Sequence, residues 1–575
     1  MKTKLLNMKS LRMLRLHLVL LLSFTVMQTS LLAQSDPSGE SAVTTTYAIT
    51  NATVITKPGS EMKDATVVVK NGLIVSVGKN VSIPNDAEVI DASGLYVYAA
   101  FIDGMSNTGA KRPENMPRPQ NLFTPDPPND YAGITPENSV MEQLDIKSSS
   151  IGNMRKVGFA ISHSVPYGRM LPGSGSIILL NDADHVDDIV LARDAALYAQ
   201  FVGAPGAYPG NILGIMAKWR NLYRNAENHK DHTELYAQNP AGLERPTSDR
   251  VSLAFHPVIS KTKPVMFDVS DMLDVRRAMR LQNDLGFNLI LSGVEQAWGV
   301  IDELKATGTP IFLSLDLPDK PKDIKGDDKT DEVKALEARR MEFYNTHVGQ
   351  AGALIEAGVN FGFSARGASA GKIKDNVMTL IENGLSENDA LAALTTNPAS
   401  MLGIENVTGS VENGKMANLM VSTAPYFTKD SQIKMMFVDG TKHVYEIKEK
   451  KEKKEGEATD EEATATTGSD PLVGTWSYEL VTPGEPQGGK MIIKKEGGKY
   501  SGVLTSNDGT PDNDMNNISY RDGELAFDFD IEAAGNSVNV VVVGNVSGAD
   551  FDATASISFG GQNVELGLTA TKDGK

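Results

Sequence analysis

The side chains able to do chemistry in this chain are mostly carboxylates. Of 575 residues, 73 are Asp or Glu, 8 are His and none is Cys, which excludes a thiol nucleophile, structural disulfides and a cysteine-linked lipid anchor. His163 stands near the end of the apolar run from Phe159 to Val165 and is the best isolated histidine for a pocket. A lone imidazole is not a metal centre. His229 and His232 are one helical turn apart, but their surroundings are polar on all sides, as at a solvated helix end. Asp103, Asp268, Asp271 and Asp316 form a third set with Arg366, whose guanidinium stays charged at neutral pH. Gathered together, these five make either a pocket that holds an anionic or polar ligand through Arg366, or a structural salt bridge. His163, Arg169 and Ser292 are the candidate ligand-binding side chains, and Asp268, Arg366 and Asp103 the candidate catalytic ones. The loop from Ser164 to Gly175 contains Arg169 and ends in Gly173, Ser174 and Gly175. Its amides can face an anion, whereas a nucleophilic Ser174 needs a base that the sequence does not identify.

These residues must be positioned by three kinds of segment. From Thr46 to Asp91 short β-branched runs alternate, and Asn71-Gly72 between two of them predicts a type I′ hairpin. From about Leu95 to Leu402, apolar strand-like runs alternate with amphipathic stretches, the pattern of a parallel α/β fold. Candidate strands run from Tyr96 to Ile102, Phe159 to Val165, Ser176 to Leu180, Val265 to Val269, Leu289 to Leu291, Ile311 to Leu315 and Phe361 to Phe363. Ser270-Asp271 predicts a helix start and Gly286 its end, and the helix after Glu295 stops at Gly308. This spacing fits a (β/α)8 barrel, with fewer than eight clean strands. The proline-rich stretch from Pro113 to Asn138 follows the first strand and reads as a lid or a subunit contact.

Residues 447–470 are a Lys, Glu, Ala and Thr tract, which predicts a solvated linker. Beyond it, residues 471–575 alternate in short strands with Gly and Asp turns, predicting an antiparallel barrel or sandwich in which Trp476 packs in the core. At the other end, five Lys and Arg residues precede an apolar run from Leu16 to Val26. Ala33 then marks the expected cleavage point of a secretory signal, residues 1–33. Export to the periplasm or exterior is the implied location, with no membrane span after cleavage. The net charge of −18 argues against a nucleic-acid partner.

Leu95 to Phe101, Ile102, Asp103, Gly104, Met105, Ser106 and Asn107 resembles the first barrel strand of the amidohydrolase superfamily, Pro-Gly-Phe-Ile-Asp-x-His-x-His. Met105 and Asn107 stand where the two histidines belong. The segment from Ala390 through Thr395, Asn397, Pro398 and Ala399, followed by Gly409, Ser410, Gly414, Lys415, Ala417 and Asn418, is similar to the family's closing signature, with Asn418 for its usual Asp. The resemblance spans about 400 residues. It implies a composite β-sandwich from 34–94 and 405–446 flanking a barrel at 95–404, with hydrolysis of carbon–nitrogen bonds other than peptide bonds as the family chemistry.

The resemblance also locates the family's metal ligands, and none is present here. Asp268 falls near the fifth-strand His, Ser292 or Gly293 in the sixth-strand His region, and Arg366 at the eighth-strand Asp. Thioether, amide, hydroxyl and guanidinium are poor ligands for zinc, iron or manganese. The expectation is therefore a degenerate site with no cofactor, in a binding subunit or the partner of a related amidohydrolase with intact ligands. One alternative is an active hydrolase of cyclic amides, metal-free or holding zinc through Asp268 and nearby carboxylates. The other is envelope ligand binding by the C-terminal β domain.

Overall fold

The computed structural model describes residues 45–113, 117–322 and 330–447. From 470 onward it describes residues 470, 472–480, 487–496, 499–506, 512–521, 524–533, 536–547, 550–559 and 562–573. The expected signal segment and nearly all of the charged linker lie outside these residues. The chain forms two compact units with the boundary between Glu449 and Lys450.

The first unit opens with β1 (Thr46–Lys57), β2 (Ser60–Lys70), β3 (Leu73–Gly78), β4 (Glu88–Asp91) and β5 (Tyr96–Ala99). The β2–β3 turn has positive φ at both Asn71 and Gly72, as the hairpin motif requires. The barrel follows as β6 (Phe101–Ser106), β7 (Phe159–Ser164), β8 (Gly173–Leu179), β9 (Val190–Gln200), β10 (Val265–Asp268), β11 (Leu289–Val294), β12 (Ile311–Ser314) and β13 (Gly362–Ser364). The chain then returns through β14 (Leu419–Ser422), β15 (Ile433–Val438) and β16 (Thr441–Val444). β14 pairs with β5, giving one sheet in the order β16-β15-β14-β5-β1-β2-β3, with β4 also on β1. The rings of Tyr47 in β1 and Phe437 in β15 meet at 5.4 Å although two strands separate theirs. The sheet thus folds over its own apolar core, making the composite sandwich. Its two halves also meet at their turns, where a Cβ on Gly440 would sit 2.7 Å from the Cα of Gly72.

The run expected as one strand from Tyr96 to Ile102 is two. Ala100 donates its N–H to Asn418 O at 2.9 Å, and there the chain leaves the sandwich sheet for the barrel. The barrel is TIM-like with one departure. β6–β7 and the series β9 to β13 are parallel, but β8 runs antiparallel to both β7 and β9. The short β7–β8 connection leaves no room for a crossover helix, so the strand returns as a meander. The strand missing from the sequence pattern is β9. Its four alanines and its Arg193-Asp194 step hide the period-two alternation. β6 and β13 complete the ring through side chains: Ser364 donates to Met105 O at 2.7 Å, and Ala365 N–H to Asp103 Oδ1 at 2.9 Å.

Inside the barrel, Met105, Val165, Ala196, Tyr198, Met266, Ile290 and Phe312 form one buried cluster. Phe312 fits because its neighbours are glycines; a Cβ on Gly104 would lie 2.1 Å from its ring and one on Gly362 2.6 Å. Helices cover the outside. Helix Met272–Leu285 is capped as expected, with Asp271 accepting from Leu273 and Asp274 N–H at 2.8 Å and Gly286 left-handed at its end. Among the described residues no helix is long and apolar enough to cross a membrane.

The second unit is a closed antiparallel barrel: β17 (Gly474–Leu480), β18 (Gln487–Glu496), β19 (Lys499–Ser506), β20 (Asn513–Arg521), β21 (Glu524–Ala533), β22 (Asn536–Ser547), β23 (Asp550–Phe559) and β24 (Gln562–Lys572). Closure by β24 on β17 removes every edge. Trp476, Met491, Leu504, Phe527, Val542 and Leu568 fill its core. The indole N–H of Trp476 donates to Leu472 O at 2.9 Å, so this residue is a packing element, with Lys572 over its ring at 5.4 Å.

Candidate functional site

Two carboxylates stand on the first and fifth barrel strands, and their surroundings differ completely. Asp103 on β6 is 0% exposed. It accepts N–H bonds from Met105 at 3.2 Å and Ala365 at 2.9 Å, and a hydroxyl from Ser162 at 2.7 Å. Ser162 in turn meets Ser106, which meets Thr108. Burial pushes the Asp103 carboxyl above its usual range, and the hydrogen bonds oppose that rise. Its acceptor positions serve the seam between β6, β7 and β13.

Asp268 ends β10 at the open end of the barrel. Its Oδ2 accepts from Tyr198 Oη at 3.1 Å and pairs with the guanidinium of Arg366, which also touches Tyr198 Oη and lies 5.6 Å from the centre of that ring. The two side chains remain 20% and 30% exposed. Burial pushes the Asp268 carboxyl up to about 7, and the charge of Glu295 adds to the rise. Contact with Arg366 pulls the other way and favours the carboxylate. Gly293, at φ +70°, makes the arrangement possible, since a Cβ there would be 2.4 Å from Asp268 Oδ1 and 3.9 Å from Met105 Cε. Met105 therefore packs close to the ion pair, with its thioether in the apolar interior.

Of the carboxylates expected around Arg366, Asp268 meets it directly. Asp271 is committed to capping its helix, Asp103 to the seam, and Asp316 lies against Gly367. Asn107 donates to Val165 O at 2.8 Å, fastening β6 to the loop after β7. Arg169 donates to Tyr131 O at 2.8 Å, and Tyr131 Oη to Pro205 O at 3.0 Å. The segment after β6 and the loops after β7 and β9 are thereby tied together at the mouth. Gln200 completes the tie, donating to the carbonyls of Gly168 and Arg169 at 2.6 and 2.8 Å. Ser292 is fully buried, with no hydrogen-bond partner for its hydroxyl among the described residues. His163 is also fully buried; Nδ1 lies 3.1 Å from Met266 Sδ, Nε2 has no partner among the described residues, and burial lowers its pKa to about 4. His229 meets His256 at 3.0 Å rather than His232. Sequence reasoning missed Tyr198 and Gln200 because it missed β9; both lie on alternate positions of that strand.

A family model described as the amidohydrolase family matches residues 330–442. An amidohydrolase from Thermotoga maritima MSB8 is similar over 69% of this chain and 99% of its own, at 22% identity and a TM-score of 0.57. The first unit therefore shares the fold of that amidohydrolase, and its segment 330–442 is similar to the family model. A prolidase complexed with N-methylphosphonate-L-proline is similar over 70% of this chain and all of its own, at 15% identity and a TM-score of 0.42. The sequence matches no curated protein.

For an amidohydrolase barrel, the donor set at the strand ends is the wrong kind. Met105 turns its sulfur into the apolar interior, Asn107 spends its amide on Val165 O, Ser292 is sealed away and Arg366 brings positive charge. Among the described residues no three His, Asp or Glu side chains converge as ligands for one ion. The residues present do not fit the superfamily's divalent metal.

Proposed function

We propose that the chain is an exported amidohydrolase-fold protein that no longer works through a metal. It serves as a binding or partner subunit, holding a small anionic ligand at the barrel mouth through Arg366. One observation carries this proposal: at the position of the family's catalytic Asp, a guanidinium stands in contact with Asp268 and Tyr198. Arg366 presents a fork of donors suited to a carboxylate or phosphate. An incoming anion competes with Asp268 for that fork, and Asp268, already pushed upward by burial, takes a proton when displaced. Tyr198 then has a free hydroxyl for the ligand.

One feature favours the alternative of a surviving hydrolase: a carboxylate with pKa raised to about 7 suits a general base. Calorimetric titration of the full chain with small carboxylates and phosphate, beside turnover assays on cyclic amides and acyl-amino acids, separates the two. Binding that is lost in Arg366→Ala, without turnover, supports the binding subunit. Turnover lost in Asp268→Asn supports the hydrolase.

A further inference from the structure

A second pocket, of about 270 Å3, opens on the outer flank of the barrel where β8 and β9 face helix Arg250–Ile259. None of the mouth residues lines it. Its walls include Ser174, Asp194, Lys263, Arg250 and Glu137. Ser174 is held tightly. Its N–H donates to Asn138 O at 2.9 Å, and a Cβ on the preceding Gly173, at φ +136°, would lie 2.5 Å from the same carbonyl oxygen. The backbone therefore admits only glycine before the serine, and the direction of the Ser174 hydroxyl is given by its hydrogen bond.

That direction is toward Lys263, whose Nζ stands 3.2 Å from Ser174 Oγ. Lys263 makes no ion pair among the described residues. Burial lowers its pKa, while Asp194 opposes the fall. Asp194 itself is turned toward Ser139, which donates to it at 2.6 Å, and it adopts a left-handed backbone at φ +48°. A strained residue beside a half-buried lysine is a common mark of a working site. Arg250, also without an ion pair among the described residues, adds positive charge to the same wall.

We propose that Ser174 and Lys263 form a nucleophile–base pair and that this pocket takes small acyl esters. The neutral amine of Lys263 removes the Ser174 hydroxyl proton as Oγ bonds to the acyl carbon. The carbon–oxygen bond to the leaving alkoxide breaks, and the Lys263 ammonium returns the proton to that oxygen. Water then attacks the acyl-serine with Lys263 again taking a proton. The Oγ–carbon bond breaks, the Lys263 ammonium returns its proton to Oγ, and the acyl group departs as a carboxylic acid that gives its proton to solvent. Ser–Lys pairs carry out this acyl-transfer logic on unrelated folds. The pocket is independent of the mouth and of the function proposed for it.

The test treats the full chain with phenylmethylsulfonyl fluoride and maps the modified peptides by mass spectrometry. The expected result is sulfonylation at Ser174, faster with rising pH, absent in S174A and slowed about 100-fold in K263M. No label on Ser174 in a folded chain, or equal labelling in K263M, overturns the proposal. Where K263M does not fold, the wild-type pH profile decides: an inflection below the ordinary lysine range supports the pair, and a profile without one reduces the contact to a structural hydrogen bond.

Discussion

Asp103 and Asp268 are both barrel-strand carboxylates pushed upward by burial, yet one has its partners on every side and the other shares an opening with water. Asp103 accepts from backbone and serine donors of three strands, so its charge is spent on closing the barrel. Asp268 is held by Tyr198 and a side-chain cation that a ligand can take over. Number and permanence of partners, more than burial or raised pKa, separate a structural carboxylate from one available for function.

The largest effect that tests this contrast is Asp103→Ala. It leaves the Met105 and Ala365 N–H groups and the Ser162 hydroxyl without their acceptor, and costs about 3 kcal/mol in chemical denaturation. A loss below about 1 kcal/mol would erase the distinction between the two carboxylates. Next is Gly293→Ala, which strains a left-handed position and drives a methyl against Asp268. It costs about 2 kcal/mol and shifts anion binding at the mouth, which a titration reads directly.

A smaller effect comes from Arg366→Ala, about 1 kcal/mol at mildly acidic pH because water replaces the lost partner. Its pH dependence is more informative. Burial holds the folded Asp268 carboxyl at about 7 against 3.8 in the unfolded chain, and removing the guanidinium takes away a neighbour that favours its charged form. The folded state then keeps a proton that the unfolded state releases, so stability falls as pH rises between about 4 and about 7. The buried histidines contribute the opposite trend. His163, His347 and His443 are buried and lowered to about 4, so they stay neutral while the unfolded chain takes up protons, and stability falls as pH drops from about 6.5 toward 4. Denaturation midpoints across this range should rise less with pH, or fall more steeply, in Arg366→Ala than in the wild type. Parallel curves would mean that Arg366 does not control the charge of Asp268.

Much of the scaffold was legible because local chemistry decides it: Asn71-Gly72 turns a hairpin, and Asp271 and Gly286 bound a helix, while the return of the chain to the sandwich beyond Asn397 was implied by the resemblance of its closing signature. The barrel's antiparallel detour was not. Its third and fourth strands are set by sheet pairing, and β9 carries charge and alanine where an alternating apolar pattern was sought. For the site, Asp268 and Arg366 could be named from their strand positions, but their contact spans 98 residues of sequence and depends on Tyr198 from the unrecognised strand. Lys263 escaped notice as the missing base for Ser174 for the same reason: 89 residues separate them, and the unrecognised β9, paired with β8 on one side and β10 on the other, brings them together.

The most direct test of the central claim is metal content measured together with turnover. The chain, purified without a histidine tag and loaded with zinc, manganese or iron, is assayed on cyclic amides and acyl-amino acids. The account predicts a folded protein that retains no stoichiometric metal and turns over none of these substrates. One bound metal per chain with metal-dependent hydrolysis would contradict it.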